Sequence, residues 1–314
     1  MLSRRHLRIR VLQGLYSFYQ SEIKDAVKTE HEIFNGIDNT YKLYIYLFLF
    51  FPEMAEQERI YRADLPPKFI ISKTEKKVVN SFAENKIVKI LSGSESLQKA
   101  VKELSLTWQL ENDLLKTIFH QFRNTDEYKR YVTTEEHTMQ QDMEFCIWMF
   151  KKFVVESDLF ASAIEEKNIY WIDGFQFACS MVLRVIKTFP ALEGEFVPSY
   201  IHKDKNDDRD FVKLLLHNTI KNEQWFTEII DAKTKNWDVE RIALVDVIIL
   251  KMALCEVLYL PTVPIKVSIN EYLDIAKDFS TPKSNQFING IIDKLVIDLK
   301  NEKKIVKTGR GLVE

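Results

Sequence analysis

The sequence predicts an almost entirely α-helical protein, and three observations support that fold class. The chain has 314 residues, of which 46% are hydrophobic, so it can bury a substantial core. It contains only eight glycines and eight prolines, whereas all-β and doubly wound proteins need more turn residues than that. Apolar residues recur at intervals of three and four, which is the period of an amphipathic helix. We therefore expect an all-α fold built around a helical bundle.

The first helix is predicted to begin at Ser3, a good N-cap residue, and to carry an unusual group of cations. Its buried stripe is predicted to consist of Val11, Leu12, Leu15, Phe18 and Tyr19. Arg4, Arg5, Arg8 and Arg10 occupy its first two turns. Cations near a helix N-terminus oppose the helix dipole by a few tenths of a kcal/mol each, so this placement suggests a use. The alternative interpretation is a solvated, frayed terminus.

The central part of the chain has the pattern of successive helices joined by short polar links. The predicted helices are Tyr41–Phe51, Glu75–Ile90, Ser94–Ser105, Glu111–Phe122, Glu135–Val155 and Trp171–Thr188. Pro52 is expected to end the first of them. Charge density rises and helical periodicity stops between Pro198 and Arg209, so we place the main domain boundary near residue 206.

Two further helices are predicted near the C-terminus, and they meet at a polar elbow from Ser280 to Gln286. The apolar face of the first is predicted to contain Val267, Ile269, Tyr272, Leu273, Ala276 and Phe279. Thr281 is a good N-cap and Pro282 suits the first helical turn, so the second helix starts there. Its predicted buried residues are Phe287, Ile288, Ile291, Ile292 and Leu295. Gly290 is expected to admit a close helix crossing.

Composition excludes several classes of function. The net charge is −2, so any attraction to nucleic acid must come from local clusters of cations. The three cysteines, Cys146, Cys179 and Cys255, have neither disulfide-framework nor zinc-ligand spacing. Glycine-rich phosphate loops and nucleophile motifs are absent from the sequence. We expect no enzymatic activity, no catalytic residues, no metal and no cofactor. With neither a membrane span nor a signal peptide recognised, we expect a cytoplasmic protein with no membrane association.

Several motifs occur in a fixed order along the chain. Arg4-Arg5-His6-Leu7-Arg8 is followed by Val11-Leu12-Gln13-Gly14-Leu15-Tyr16-Ser17, and then by Asp210-Phe211 and Lys251-Met252-Ala253-Leu254-Cys255-Glu256. The segment Val263–Lys294 contains Pro-Ile-Lys-Val-x-Ile-Asn-Glu, Ala-Lys-x-Phe-Ser and Phe-x-Asn-Gly in that order. In these motifs the chain resembles the NusB family of bacterial transcription antitermination factors. The resemblance covers two separated pieces, 1–21 and 208–297.

The resemblance implies a long form of the family fold, with four segments. Residues 1–21 correspond to the first helix with its arginine-rich start, and residues 206–300 to the C-terminal core. Residues 22–205 form an inserted helical region that is absent from typical members, and one possibility is that it packs as a second bundle. Residues 301–314 are expected to be a flexible tail.

The resemblance also implies a function: binding of boxA-type single-stranded RNA in nascent ribosomal RNA together with ribosomal protein S10 (NusE), in a transcription elongation complex with other Nus factors. The implied RNA-binding residues are Arg4, Arg5, Arg8, Lys283, Ser284, Gln286 and Phe287. Tyr16 and Asp246 correspond to the family's S10-facing positions. The planar, always charged guanidinium group suits both phosphates and base faces. The alternative function is a helical protein-interaction scaffold that has kept the family core but not RNA binding.

Overall fold

The computed structural model describes residues 3–64, 79–199, 205–234 and 242–312. Within these ranges the chain forms fourteen α-helices, several short 3-10 turns and no strand, which confirms the predicted all-α class. The chain divides into two compact units. The first, which we call the terminal unit, consists of Met1–Asn35 and Ile201–Glu314, and the second, the central unit, is Gly36–Tyr200.

The terminal unit is built around one helix that is buried on all sides. Its helices are α1 (Arg4–Gln20), the first turns of α2 (Ala26–Ala63), α10 (Lys205–Lys221), α11 (Glu223–Thr234), α12 (Leu244–Tyr259), α13 (Ile265–Phe279) and α14 (Pro282–Asn301). Every residue of α12 from Ile248 to Val257 is buried. Helices α1, α10, α11, α13 and α14 all pack against it. A helix that is apolar around its whole circumference is expected at such a central position.

Helix α1 buries most of the stripe that the sequence predicts. Val11, Leu12, Leu15 and Phe18 are buried, and Leu7 and Arg8 join them, which extends the stripe toward the N-terminus. Gly14 permits the close approach of α1 to the start of α2, because a Cβ atom there would lie 2.5 Å from Ile33 Cδ1. The sequence alone signals the stripe but not this crossing.

Two predictions for the C-terminal helices are wrong in part. On α13, Val267 and Phe279 are 44% and 40% exposed, while Ser268 is fully buried because its hydroxyl contacts a buried carboxylate. Gly290 is exposed, and a Cβ atom there would meet nothing within 4 Å, so it admits no close helix crossing. The predicted start of α14 is confirmed, since Thr281 Oγ1 accepts from the backbone N–H of Ser284 at 3.3 Å. All five predicted buried residues of that helix are buried.

The central unit has an aromatic core. Its helices are the remainder of α2, α3 (Lys86–Gly93), α4 (Glu95–Glu103), α5 (Asn112–Arg123), α6 (Asp126–Val132), α7 (Met139–Phe150), α8 (Asp158–Lys167) and α9 (Phe175–Ile186). Tyr46 stacks on Trp108 with ring centroids 4.3 Å apart, and Phe51 stacks on Phe150 at 5.4 Å. Such ring pairs add to the stability that area burial supplies.

Several predicted boundaries in the central unit are wrong. Helix α2 continues through Pro52, because apolar residues on both sides of it, such as Phe51 and Met54, are buried and outweigh the roughly 3 kcal/mol that an internal proline costs. The predicted helix Glu75–Ile90 is interrupted, since residues 79–81 are not helical and α3 begins at Lys86; residues 75–78 lie outside the described part. The predicted helix Glu135–Val155 begins at Met139 and ends in a π-helical turn, Lys151–Val155. Helices α6 and α8 were not predicted.

One stretch of the central unit has the length and composition of a membrane-spanning helix, Ile169–Ala191. Within it, Phe175, Ala178, Cys179 and Val182 are buried in the hydrophobic core of the unit. These four side chains therefore have protein neighbours, as expected of a core helix, whereas Ile169 and Ile172 are 73% and 42% exposed.

A buried ion pair fixes α1 to α12 in the terminal unit. Arg8 Nε and Nη2 donate to the two carboxylate oxygens of Glu256 at 2.8 and 2.6 Å. The hydroxyls of Ser268 and Tyr272, both on α13, donate to the same carboxylate at 2.7 and 3.0 Å. Burial alone would lower the pKa of Arg8, but the hydrogen bonds and the charge of Glu256 outweigh it and raise that pKa. One carboxylate thus joins three helices.

The described residues after α14 fold back onto the end of α12. Lys307 Nζ donates to the carbonyl oxygens of Leu260 at 3.0 Å and of Glu256 at 3.4 Å. The backbone N–H of Thr308 donates to the carbonyl oxygen of Pro261 at 3.0 Å. The described part of the segment for which a flexible tail is predicted is therefore hydrogen-bonded to the end of α12 and to the turn that follows it.

Arg8→Met is expected to destabilise the protein by about 3–5 kcal/mol, because it leaves the buried Glu256 carboxylate without its cation. The matched control is Lys213→Met, which removes a half-exposed cation 3.3 Å from Glu30 in the same unit and should cost less than about 1 kcal/mol. Unfolding in denaturant measures both. A loss for Arg8→Met no larger than that of the control would contradict the role given to this pair.

Lys307 is expected to make stability depend on pH. Burial lowers its pKa from 10.5 to about 8, against an opposing effect of Glu256. The folded chain therefore releases this proton before the unfolded chain does, and the cost of the half-buried charge is relieved as pH rises. Relative to Lys307→Met, the wild type should gain stability between about pH 8 and pH 10, as measured from denaturant midpoints. A difference between the two proteins that stays constant across this range would refute the assignment.

Candidate nucleic-acid interface

Arg4 and Arg5 lie at the surface, and carboxylates of the same unit hold both of them. Arg4 pairs with Asp207, its Nε lies 3.7 Å from Asp208 Oδ1, and its guanidinium lies 4.3 Å from the centre of the Phe211 ring. These three partners are on α10, and the Arg4 side chain is 34% exposed. Helix α10 thus presents this guanidinium at the surface with its plane supported by an aromatic ring.

Arg5 turns the other way, toward α13. Its Nε and Nη2 donate to the two oxygens of Glu271 at 3.0 and 3.2 Å, and Nη2 also donates to Asp274 Oδ2 at 2.7 Å. The hydrogen bonds that Arg5 donates to Glu271 are the main reason that the pKa of Arg5 is raised. The side chain is 38% exposed, so solvent reaches the guanidinium while two carboxylates fix its direction.

Arg8, which is also a predicted RNA-binding residue, lies behind the surface. It is buried against Glu256, and its Nη1 donates to Glu271 Oε2 at 3.4 Å. Acidic and basic side chains therefore alternate, each in contact with the next, from the core to the solvent. We call this sequence the charged row, and it consists of Glu256, Arg8, Glu271, Arg5, Asp274 and Lys277.

The outer end of the charged row is defined by Asp274. Its Oδ1 accepts from Lys277 Nζ at 2.8 Å, and its Oδ2 accepts from Arg5. The hydrogen bond from Lys277 and that from Arg5 lower the pKa of Asp274, so the carboxylate is ionised at neutral pH. Two cations on different helices share one carboxylate there.

The elbow between α13 and α14 contains the second group of predicted RNA-binding residues. Ser284 Oγ lies 2.9 Å from Thr281 Oγ1, so its hydroxyl takes part in the helix cap. Gln286 is exposed, whereas Phe287 is only 7% exposed and lies in the core of the unit. The side chain of Lys283 lies outside the described residues.

The structure brings the two groups together on α13. Arg5 contacts Asp274. In the elbow, Asn285 Nδ2 donates to the carbonyl oxygen of Leu273, the residue before Asp274, at 2.7 Å. The arginine-rich start of α1 and the elbow, which are far apart in the sequence, are therefore attached to consecutive residues of one helix.

The two predicted S10-facing residues differ in exposure. Tyr16 is 44% exposed on α1. Asp246 is 3% exposed in the first turn of α12, where the helix dipole favours a negative charge. Its Oδ1 has no hydrogen-bond partner among the residues that the structure describes. Tyr16 is thus available to a partner, whereas Asp246 is covered.

Sequence reasoning found the cations of this site but missed the acids that hold them. Glu271, Asp274 and Lys277 follow one another at intervals of three on α13, a spacing that places them on one helix face. That spacing was the available signal, yet nothing in the sequence shows that the face lies opposite Arg5. Among the described residues, no group of three or more His, Cys, Asp or Glu side chains is arranged to hold a metal ion.

Comparisons with known proteins agree with the motifs. Residues 180–296 match the model of the NusB family. The chain is similar to "Transcription antitermination protein NusB" of Salinibacter ruber (strain DSM 13855 / M31), with 44% identity over 105 residues, which make up 33% of this chain and 66% of that protein. It is 41% identical over 106 residues to the protein of the same name from Chloroherpeton thalassium (strain ATCC 35110 / GB-78), which is 34% of this chain and 50% of the relative.

The match thus spans half of one relative and just under two thirds of the other. No solved structure gives a significant match. The matched residues include α10 to α13 and most of α14. These helices comprise the buried α12 and four of the helices that pack against it. They also contain Glu271, Asp274 and the elbow. Residues 180–296 of this chain are therefore similar in sequence to the NusB family.

Proposed function

We propose that this protein is a non-enzymatic transcription antitermination factor of the cytoplasm that binds boxA-type single-stranded RNA together with ribosomal protein S10. Similarity to the family supports the general role, since both relatives are named as transcription antitermination proteins. The observation that carries the RNA proposal is the convergence of Arg5 and the elbow on Leu273 and Asp274.

The surface has the groups that single-stranded RNA requires. Arg4 and Arg5 supply two partly exposed guanidinium groups for phosphates. Ser284 and Gln286 supply neutral hydrogen-bonding groups for the Watson–Crick edges of bases, which are accessible only in unpaired RNA. We include Lys283 as a further phosphate contact because of its place in the elbow.

Two residues of the predicted set have supporting roles in this proposal. Arg8 is buried and paired with Glu256, so it holds α1 in place and does not contact phosphate. Phe287 is buried in the first turns of α14, so it supports the elbow and does not stack on a base.

For ribosomal protein S10, we propose a surface that includes Tyr16. A 44% exposed tyrosine combines apolar area with a hydroxyl group, as is common at protein interfaces. Asp246 is only 3% exposed, so in this proposal it does not contact S10 directly. The other Nus factors of the elongation complex are proposed partners on family grounds alone.

Arg4→Ala/Arg5→Ala is expected to weaken binding of a fluorescent boxA RNA about tenfold or more. The slope of log affinity against log salt should become shallower by about 1.4, because each lost phosphate contact with a single strand removes about 0.7 from it. Fluorescence anisotropy at several salt concentrations measures both quantities. The control is Lys294→Ala/Lys300→Ala, which removes the same charge from exposed positions on α14. Lys294 lies roughly 15 Å from Ser284 along the helix at 1.5 Å per residue.

Equal losses in the two double variants would show that only net charge matters and would contradict the site. Adding purified S10 to the wild type should tighten RNA binding by about 5- to 150-fold, which corresponds to a coupling of about 1–3 kcal/mol. Absence of RNA binding by the wild type, with and without S10, would instead favour the interaction scaffold. That alternative has one observation behind it, namely that carboxylates of the chain itself already hold Arg4, Arg5 and Arg8.

A further inference from the structure

The two acids that hold Arg5 do so in different ways. Glu271 contacts the guanidinium with both oxygens, at 3.0 and 3.2 Å, and it also accepts from the buried Arg8 at 3.4 Å. Asp274 contacts it with one oxygen at 2.7 Å and is more exposed, at 38% compared with 24% for Glu271. Glu271 is therefore anchored on the core side, and Asp274 lies on the solvent side.

Asp274 is also the acid that can release Arg5 without becoming an isolated charge. Its Oδ1 already accepts from Lys277 at 2.8 Å, three residues along the same helix. If Arg5 turned away from Oδ2, the carboxylate would keep this second cation. If Glu271 released Arg5, it would keep only the longer contact with Arg8, at 3.4 Å, and Arg8 is already paired with Glu256.

We infer that Asp274 occupies Arg5 in the free protein and is displaced by an RNA phosphate, while Glu271 stays bound and positions the same guanidinium. This inference rests on the proposed function. An RNA phosphodiester presents anionic oxygens to an arginine as a carboxylate does, so the exchange replaces one charge-assisted hydrogen bond with another. Asp274 thus acts as an internal competitor that lowers affinity for any polyanion.

Such a competitor has two physical consequences. The guanidinium is already ordered before RNA arrives, so less side-chain entropy is lost on binding. A weak, non-specific polyanion must displace Asp274 before it can contact the Arg5 guanidinium. Binding that relies on phosphate contacts alone is therefore disfavoured. RNA that also engages the elbow has further contacts to offset that displacement.

The test compares two conservative substitutions that remove the same charge from neighbouring turns of α13. Asp274→Asn should bind boxA RNA about 2- to 5-fold more tightly, the effect expected of an exposed ion pair that no longer competes. Glu271→Gln should bind about 2- to 10-fold more weakly, because the fixed direction of the Arg5 guanidinium is lost. A general charge effect would instead move both affinities in the same direction.

Two controls separate the inference from simpler explanations. Asp293→Asn removes an exposed acid from α14 and should change affinity less than Asp274→Asn does. In an Arg5→Ala background, both α13 substitutions should lose their effect, because each acts through Arg5; a double-mutant cycle measures this coupling. A merely structural role of Glu271 would persist without Arg5.

The outcomes are distinguishable. Tighter binding by Asp274→Asn, weaker binding by Glu271→Gln and loss of both effects without Arg5 would support the inference. Wild-type binding of RNA with no gain in Asp274→Asn, or an equal gain in Asp293→Asn, would overturn this inference and leave the proposed function intact. No RNA binding by the wild type or by Asp274→Asn would overturn both.

Discussion

The arrangement of the terminal unit depends on the carboxylate of Glu256. It is fully buried on the central helix α12, and it receives four hydrogen bonds from three side chains on α1 and α13. A buried charge with that many partners is tolerated only when the partners hold their geometry. The position of α1, and with it the position of its surface arginines, is therefore coupled to the core.

The charged row carries that constraint outward. Arg8 neutralises Glu256 in the core, Glu271 bridges Arg8 to Arg5, and Asp274 bridges Arg5 to Lys277 at the surface. Burial decreases along the row, so ion pairs at its inner end are structural while those at its outer end are exchangeable. Four arginines at the start of one helix thus divide into a buried anchor, Arg8, and surface groups such as Arg4 and Arg5 that a ligand can reach.

The fold class could be predicted because scarcity of glycine and proline and helical periodicity act along the whole chain. The start of α14 followed from Thr281 and Pro282, whose preferences are local. The burial of Arg8 could not be predicted, since an arginine in a basic run has the same local pattern whether it meets solvent or Glu256. The course of α2 through Pro52 was missed for a similar reason, because tertiary burial there outweighs a local rule. The arginines of the candidate site could therefore be named from the sequence, whereas the carboxylates that hold them could not.

The most direct measurement is protein–RNA cross-linking of the full chain with boxA RNA, followed by mass spectrometry of the cross-linked peptides. If the surface proposed here binds RNA, cross-links should fall in the first two turns of α1 and in the elbow from Ser280 to Gln286, in the same sample. Cross-links confined to residues 36–200 would contradict the account, because neither the start of α1 nor the elbow would then be in contact with RNA.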